Sequence, residues 1–368
     1  MMAKTDAHED LVHLEVGDPN FQTPEHIVDA AHEAAKAGQT HYTPSAGIPE
    51  LRREVAKTIA DETGLAVDYE SELVITSGAC EALHLALTAI VDPGEQVVIP
   101  SPTWASYEAH VHAVSGSVNW VPLSPETGFA LDTDAVANAV TEDTAVVILT
   151  SPSNPTGKVY DESRVRDVVT TAQNHDAYVL ADEVYDPFIF DSDSESITQC
   201  VGDANNVISV NSFSKRFAMT GWRVGWLRAH PEIAAAANRL HQATTSCAPA
   251  PSQHAALAGL RGPSKPLEKM QRAYRRRRDL VVDRVDTLPG ISCIEPDGGF
   301  YVFLDVSMLS GSSEEIADRL ATEHSLLTVP GTGFGPGGEH HLRLSYAAST
   351  EDVTTGLDRL EAFVRQSR

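Results

Sequence analysis

Lys215 is one of only seven lysines in this chain and sits at the end of Ser212-Phe213-Ser214-Lys215, among small hydroxyls and apolar side chains. Burial there disfavours the ammonium form, lowers its pKa and leaves a nucleophilic amine, the property Schiff-base chemistry needs. Asp182, in Asp182-Glu183-Val184-Tyr185, places a carboxylate at the tip of an apolar run. That is costly unless a cation meets it, either a protonated ring nitrogen or a structural salt-bridge partner. Arg223, in Thr220-Gly221-Trp222-Arg223, carries a guanidinium fork that matches phosphate oxygens. Ser77-Gly78-Ala79-Cys80 is a small-residue turn ahead of a helix, which offers backbone N–H groups to an anion but reads equally as a plain connection. In Ser151-Pro152-Ser153-Asn154-Pro155-Thr156-Gly157 two X-Pro bonds, either of them open to the cis form, fix a loop from which Asn154 can bond a ligand oxygen; by itself this is also an ordinary Pro-Gly turn. Trp104 follows an apolar run and can stack on an aromatic ring or fill the core. Arg343 lies between apolar residues in His341-Leu342-Arg343-Leu344-Ser345-Tyr346 and needs an anionic partner, a bound carboxylate or an internal acid.

These residues depend on the elements that hold them. Short, nearly all-apolar runs at 73–76, 96–100, 145–150, 177–181 and 207–211 alternate with helix-length segments at 23–37, 48–63, 80–91, 161–175 and 231–243. Strands buried on both faces read this way, so the pattern predicts an α/β fold with a mainly parallel sheet flanked by helices. Pro24 near the first turn and Gly38 beyond the last mark the ends of the first helix. Each strand runs into polar or glycine residues at its C-terminal end, the edge of an open parallel sheet where ligands bind, and five such ends can converge on one crevice. An arginine-rich helix over 265–285 leads out of this unit, and the pattern then changes to strands at 299–306 and 341–347 and helices at 313–324 and 350–365. The expected division is a large domain over 28–284 and a smaller α+β domain from 1–27 and 285–368.

Together the motifs resemble a family. Gly17-Asp18-Pro19, Tyr42-Thr43-Pro44, Ser153-Asn154-Pro155-Thr156-Gly157, Asp182-Glu183-Val184-Tyr185, Ser212-Phe213-Ser214-Lys215, Gly221-Trp222-Arg223, Gly298-Gly299-Phe300-Tyr301 and Pro330-Gly331-Thr332-Gly333-Phe334-Gly335 are similar to those of the class I/II aminotransferases of fold type I, in their order and spacing, from Gly17 to the C-terminus. Within them the chain resembles the bacterial and archaeal aspartate aminotransferase branch. The resemblance implies pyridoxal 5'-phosphate (PLP) as cofactor, with Lys215 as the Schiff-base lysine. It implies Asp182 on the pyridine nitrogen, Tyr185 and Asn154 on the phenolic oxygen, and Trp104 on the ring face. Gly78, Ala79, Cys80, Ser212, Ser214 and Arg223 would cup the phosphate, Tyr42 would reach the phosphate of the neighbouring subunit of a homodimer, and Arg343 with the Gly17 backbone would take the α-carboxylate of an amino acid or 2-oxo acid substrate. Cys80 stands where relatives often carry a polar or basic residue, and the segment 81–91 holds no cation for a distal carboxylate, so neutral and aromatic substrates stand beside aspartate. Arginines between Arg261 and Arg278 are the other source of such a cation and read better as a solvated helix face.

Composition narrows the field. The 368 residues suit two domains, and 42% apolar content is globular. A net charge of −25 repels nucleic acid and anionic membranes, and with so few lysines it fits adaptation to high salt or simply an acidic protein. No apolar run is long enough for a membrane span, and the charged start of the chain has no leader-like core. Four scattered cysteines argue for reduced thiols and a cytoplasmic setting, and His340-His341 has no third ligand in sight, so no metal is expected. A lyase or synthase of the same fold would use the same Lys215, Asp182 and Arg343. A PLP-binding regulator is a remote alternative: it would need an attached DNA-binding segment, which the few residues before Gly17 and the acidic composition do not suggest; a nicotinamide dehydrogenase would need the glycine fingerprint after its first strand, which is absent.

Overall fold

The computed structural model describes residues 10–190 and 195–366; residues 1–9, on which the leaderless reading rests, lie outside them. Seven strands form the main sheet in the spatial order Leu73–Thr76, Gly225–Arg228, Val207–Ser212, Tyr178–Asp182, Thr144–Thr150, Gln96–Ser101 and Ser117–Pro122. The last five pair in parallel, while Gly225–Arg228 runs antiparallel to both of its neighbours. The sheet is therefore mixed, with a parallel majority. Gly225–Arg228 escapes the reading that finds the equally short Leu73–Thr76 because Gly-Trp-Leu-Arg is not a continuous apolar, β-branched run. Ser117–Pro122 escapes it because an edge strand needs only one buried face, and just one of its residues is fully buried.

The interior strands behave as expected for a sheet covered on both sides. All residues of Thr144–Thr150 and Val207–Ser212 are buried. One face packs on Ala79–Ile90 and Pro231–Thr244 through Leu83, Leu87, Ile233 and Ala237. The other face packs on Glu162–Gln173 through Val165, Val168 and Val169. Pro24 caps the first helix, Glu25–Lys36, rather than occupying its first turn.

A second, antiparallel sheet has the order Val329–Pro330, His341–Ser345, Tyr301–Asp305, Ser292–Cys293. Val12–His13 pairs in parallel with Leu326–Leu327 beside it. The helix Ser313–His324 starts from a full capping box, in which Ser312 and Glu315 satisfy each other's backbone N–H. The 22-residue helix Lys265–Asp286 sends Met270, Tyr274, Val281 and Val285 into the same core as Phe300, Leu342 and Phe363. It thus joins the C-terminal sheet to the rest of the chain. Among the described residues no helix is long and apolar enough to cross a membrane, and no cluster of His, Cys, Asp or Glu has metal-binding geometry.

Candidate active site

A pocket of about 330 Å3 opens over the C-terminal ends of the parallel strands. It is lined by Gly17, Ala79, Cys80, Trp104, Asn154, Asp182, Tyr185, Ser212, Ser214, Lys215, Arg223 and Arg343, so residues scattered over the sequence meet in one place. Gly78 stands directly behind, against Arg223. Tyr42 does not line this pocket; it is 88% exposed and sits in a groove with Ser77, Thr245 and Cys247.

Parallel pairing puts the strand tips side by side: Thr150 lies in register with Asp182, and Asp182 with Val210. Asp182 is buried, and its Oδ2 accepts a hydrogen bond of 2.7 Å from Tyr107 Oη. Burial raises its pKa to about 6, against the lowering effect of the Tyr107 and Val184 bonds. Among the described residues no cation is bonded to this buried carboxylate, and at the floor of a pocket it fits a protonated ring nitrogen.

Lys215 is on the short helix Phe213–Arg216, which Ser212 caps by accepting from the Ser214 N–H. Its Nζ donates to the Gly17 carbonyl at 2.7 Å. Burial lowers its pKa to about 8; Asp18 and Cys80 oppose this, and Arg223 and Arg343 reinforce it. A substantial fraction of the amine is therefore neutral near physiological pH, as nucleophilic and base chemistry require.

The anion-binding end is built from backbone. The helix Ala79–Ile90 begins at the turn, and its first N–H groups have no intrahelical acceptor. Gly78 has φ of +91°, and a Cβ there would lie 2.5 Å from Arg223 Nη2, so only glycine lets the guanidinium rest on the turn. Arg223 itself is left-handed, with φ of 52°, and is steered by its Nη1 bond to the Thr220 carbonyl at 3.0 Å. Ser212 Oγ donates to Ser214 Oγ at 2.8 Å, which completes a cluster of hydroxyls beside it. Burial pushes the Cys80 thiol up, so it stays neutral and its missing basic side chain leaves the backbone cradle intact.

At the other end Arg343 is buried at 8% exposure. Its Nη1 donates to Asn154 Oδ1 at 3.0 Å, Nη2 donates to the Glu15 carbonyl, and Nε has no partner. The rings of Tyr301 and Phe334 cover its faces at 4.5 and 4.9 Å. No acid is among these contacts, so of the two partners the sequence left open the bound carboxylate is the one that fits. The bond to Oδ1 also turns the amide of Asn154 so that its NH2 is left as a donor. Both X-Pro bonds around Asn154, Ser151-Pro152 and Asn154-Pro155, are cis. Tyr185 Oη is 3.1 Å from Tyr301 Oη.

Sequence reasoning missed Tyr107 and Tyr301. Tyr107 is 1% exposed, bonds Asp182 and meets Trp104 edge-on with ring centroids 5.3 Å apart. A signal existed: a buried Asp182 needs a donor, and Tyr107 stands three residues beyond Trp104, about one helical turn on. Tyr107→Phe removes a bond that favours the ionised carboxylate, worth about 1.5–3 kcal/mol. The acid limb of the pH–rate profile is expected to move upward by about one to two pH units, with the alkaline limb unchanged.

A cradle for phosphate, a lysine with a lowered pKa and a carboxylate awaiting a ring cation define a PLP enzyme of fold type I. Residues 9–360 match the family aminotransferase class I and II. A probable aspartate aminotransferase of Methanocaldococcus jannaschii is 38% identical over 95% of this chain and 92% of its own length. The solved aspartate aminotransferase of Thermus thermophilus with maleate superimposes with a TM-score of 0.91 at 37% identity, covering 96% of this chain and 92% of that one. An aromatic aminotransferase of Pyrococcus horikoshii gives 0.93 at 33% identity, covering 99% and 98%. The chain belongs to the class I and II aminotransferases and is a transaminase; members of this family use pyridoxal 5'-phosphate.

Proposed function

We propose that this chain moves the amino group of an L-amino acid to a 2-oxo acid by a ping-pong route, with the cofactor held as a Schiff base on Lys215. The observation that carries this reading is the meeting of Lys215, Asp182 and Arg343 in one pocket, with Arg343 Nε left without a partner and no acid or base of the described residues paired to any of the three. When bound, the cofactor supplies an electron sink that acidifies the α-carbon of an attached amino acid. Asp182 keeps the ring nitrogen protonated. Asn154 and Tyr185 donate to the phenolic oxygen. Gly78, Ala79, Cys80, Ser212, Ser214 and Arg223 hold the phosphate, and Trp104 covers the ring face. Arg343 and the Gly17 backbone would fix the substrate carboxylate, and Lys215 Nζ, freed from the cofactor, would be the base that takes the α-proton and gives it back across the intervening nitrogen. Because one arginine serves the carboxylates of both substrates, the first product must leave before the second substrate enters.

The exposed Tyr42 supports a homodimer in which it completes the phosphate cup of the partner. Arg343→Met removes a carboxylate fork whose charged bonds are worth about 1.5–3 kcal/mol each, so kcat/KM is expected to fall by about 10²-fold or more for every amino donor. The net charge of −25 with seven lysines supports a protein that works in concentrated salt, and four free, scattered cysteines support a reducing, cytoplasmic setting. The melting temperature is expected to rise by more than about 5 °C between dilute buffer and about 2 M KCl, as carboxylate repulsion is screened; no rise would set salt adaptation aside.

The deciding experiment is visible spectroscopy of the purified enzyme. A cofactor band should shift when an amino donor is added and return with a 2-oxo acid. Ammonia release without that return would favour a lyase of the same fold, and no band would sink the assignment.

A further inference from the structure

Strands Tyr178–Asp182 and Val207–Ser212 run in register as far as Asp182 and Val210, and the Glu183 N–H closes a last rung on the Val210 carbonyl at 3.0 Å. Past that rung the two chains part. One carries Tyr185, and the other carries Ser212, Ser214 and Lys215. Among the described residues no backbone hydrogen bond joins 184–188 to 211–217.

Side chains take over the connection, and each belongs to the neighbour of a pocket residue. Asn211, before Ser212, accepts the Ser212 N–H on Oδ1 at 2.7 Å and donates from Nδ2 to Asp186 Oδ2 at 3.0 Å. Asp186, after Tyr185, also places Oδ2 3.5 Å from Arg216 Nη2. Arg216, after Lys215, clamps both oxygens of Glu62 at 2.6 and 2.8 Å, which anchors the assembly to the helix Pro49–Thr63. The Arg216 side chain is only 13% exposed, so its fork is held rather than solvated.

We infer that Asp186 and Arg216 are positioning residues: with Glu62 and Asn211 they lock the segments carrying Tyr185, Lys215 and Ser212 into one frame where the strand ladder has ended. The inference rests on the roles proposed above for those three residues. A ladder of backbone bonds would fix the strand tips without regard to side chains; here the frame is interrupted if one charge is removed. Small displacements of a base or a cofactor anchor reduce turnover by large factors, while a substrate that binds mainly through Arg343 feels them little.

The test uses the holoenzyme and the variants Asp186→Asn and Arg216→Met, singly and together. Each single variant is expected to lower kcat by about 5- to 20-fold with KM for the amino donor within about two-fold. Cofactor release, followed by loss of the visible band on dilution, should be faster by a similar factor. The double variant should be no worse than the worse single one, because both break the same unit. Arg216→Lys, which keeps the charge but not the fork, should recover part of kcat and serves if Asp186→Asn does not fold. A lower melting temperature with kcat, KM and cofactor release all within about two-fold of the parent overturns the inference, as do additive losses in the double variant. Failure of the functional reading would show separately, as a parent enzyme with no donor-responsive band.

Discussion

Lys215→Ala is expected to leave a folded protein whose turnover is at least about 10³-fold lower, since it removes both the cofactor's anchor and the group that moves the α-proton. Folding should survive because the hydrogen bond of the lysine within the described residues is to the Gly17 carbonyl, at 2.7 Å, and neither group holds the core together. The parent should carry a pH signature that the variant lacks. Burial lowers the lysine to about 8, so the neutral, proton-accepting form grows as pH rises through that value. Single-turnover rates for the amino-donor half-reaction measure this directly: the parent climbs through a midpoint near pH 8 before levelling off, and the variant stays flat. A variant with the parent's rate would remove Lys215 from the chemistry.

Asp182→Asn should cost about 10²–10³-fold in kcat while sparing, or even improving, the stability of the protein freed of cofactor. The amide keeps the shape and still accepts from Tyr107, which lies 2.7 Å from the carboxylate, but it cannot hold a ring nitrogen in its protonated form. The stability effect follows from the sign of the shift. Burial raises the folded pKa to about 6, above the ordinary aspartate value, so holding the charge costs stability above about pH 6 and nothing once the group is protonated in both states. The cofactor-free Asn variant should therefore match or exceed the parent at pH 7 by thermal unfolding, and the gap should close as pH falls from about 6 to about 4. A variant both active and less stable would show Asp182 to be an ordinary structural acid.

The chemistry was easier to read than the scaffold's details because it depends on residues that break local rules. A lysine among hydroxyls, an aspartate at the tip of an apolar strand and an arginine inside another are costly anywhere else, and the structure gathers Lys215, Asp182 and Arg343 at one pocket. The parallel strands were legible for the same reason that they are buried: both faces are apolar. Gly225–Arg228 was not, since Gly, Trp and Arg break the apolar run that marks the other interior strands, and its antiparallel direction is decided by the turn at Arg223. Tyr107 looked like any core aromatic, and only the position of its hydroxyl against Asp182 gives it a role. The partners of Arg343 were also beyond sequence: a neutral amide and a backbone carbonyl hold it, which depends on a fold that brings Glu15 and Asn154 together.

The strand His341–Ser345 lies inside its sheet, between Val329–Pro330 and Tyr301–Asp305, although it comes near the end of the chain. During synthesis this slot must wait open until residue 345 has emerged, while the strands that flank it expose unpaired edges. When His341–Ser345 enters, one event completes the ladder and delivers Arg343 to the pocket. Nascent or C-terminally shortened chains can therefore assemble the main sheet with its lysine and aspartate in place and still have no guanidinium for a substrate carboxylate, so maturation of the catalyst is tied to the arrival of one late strand.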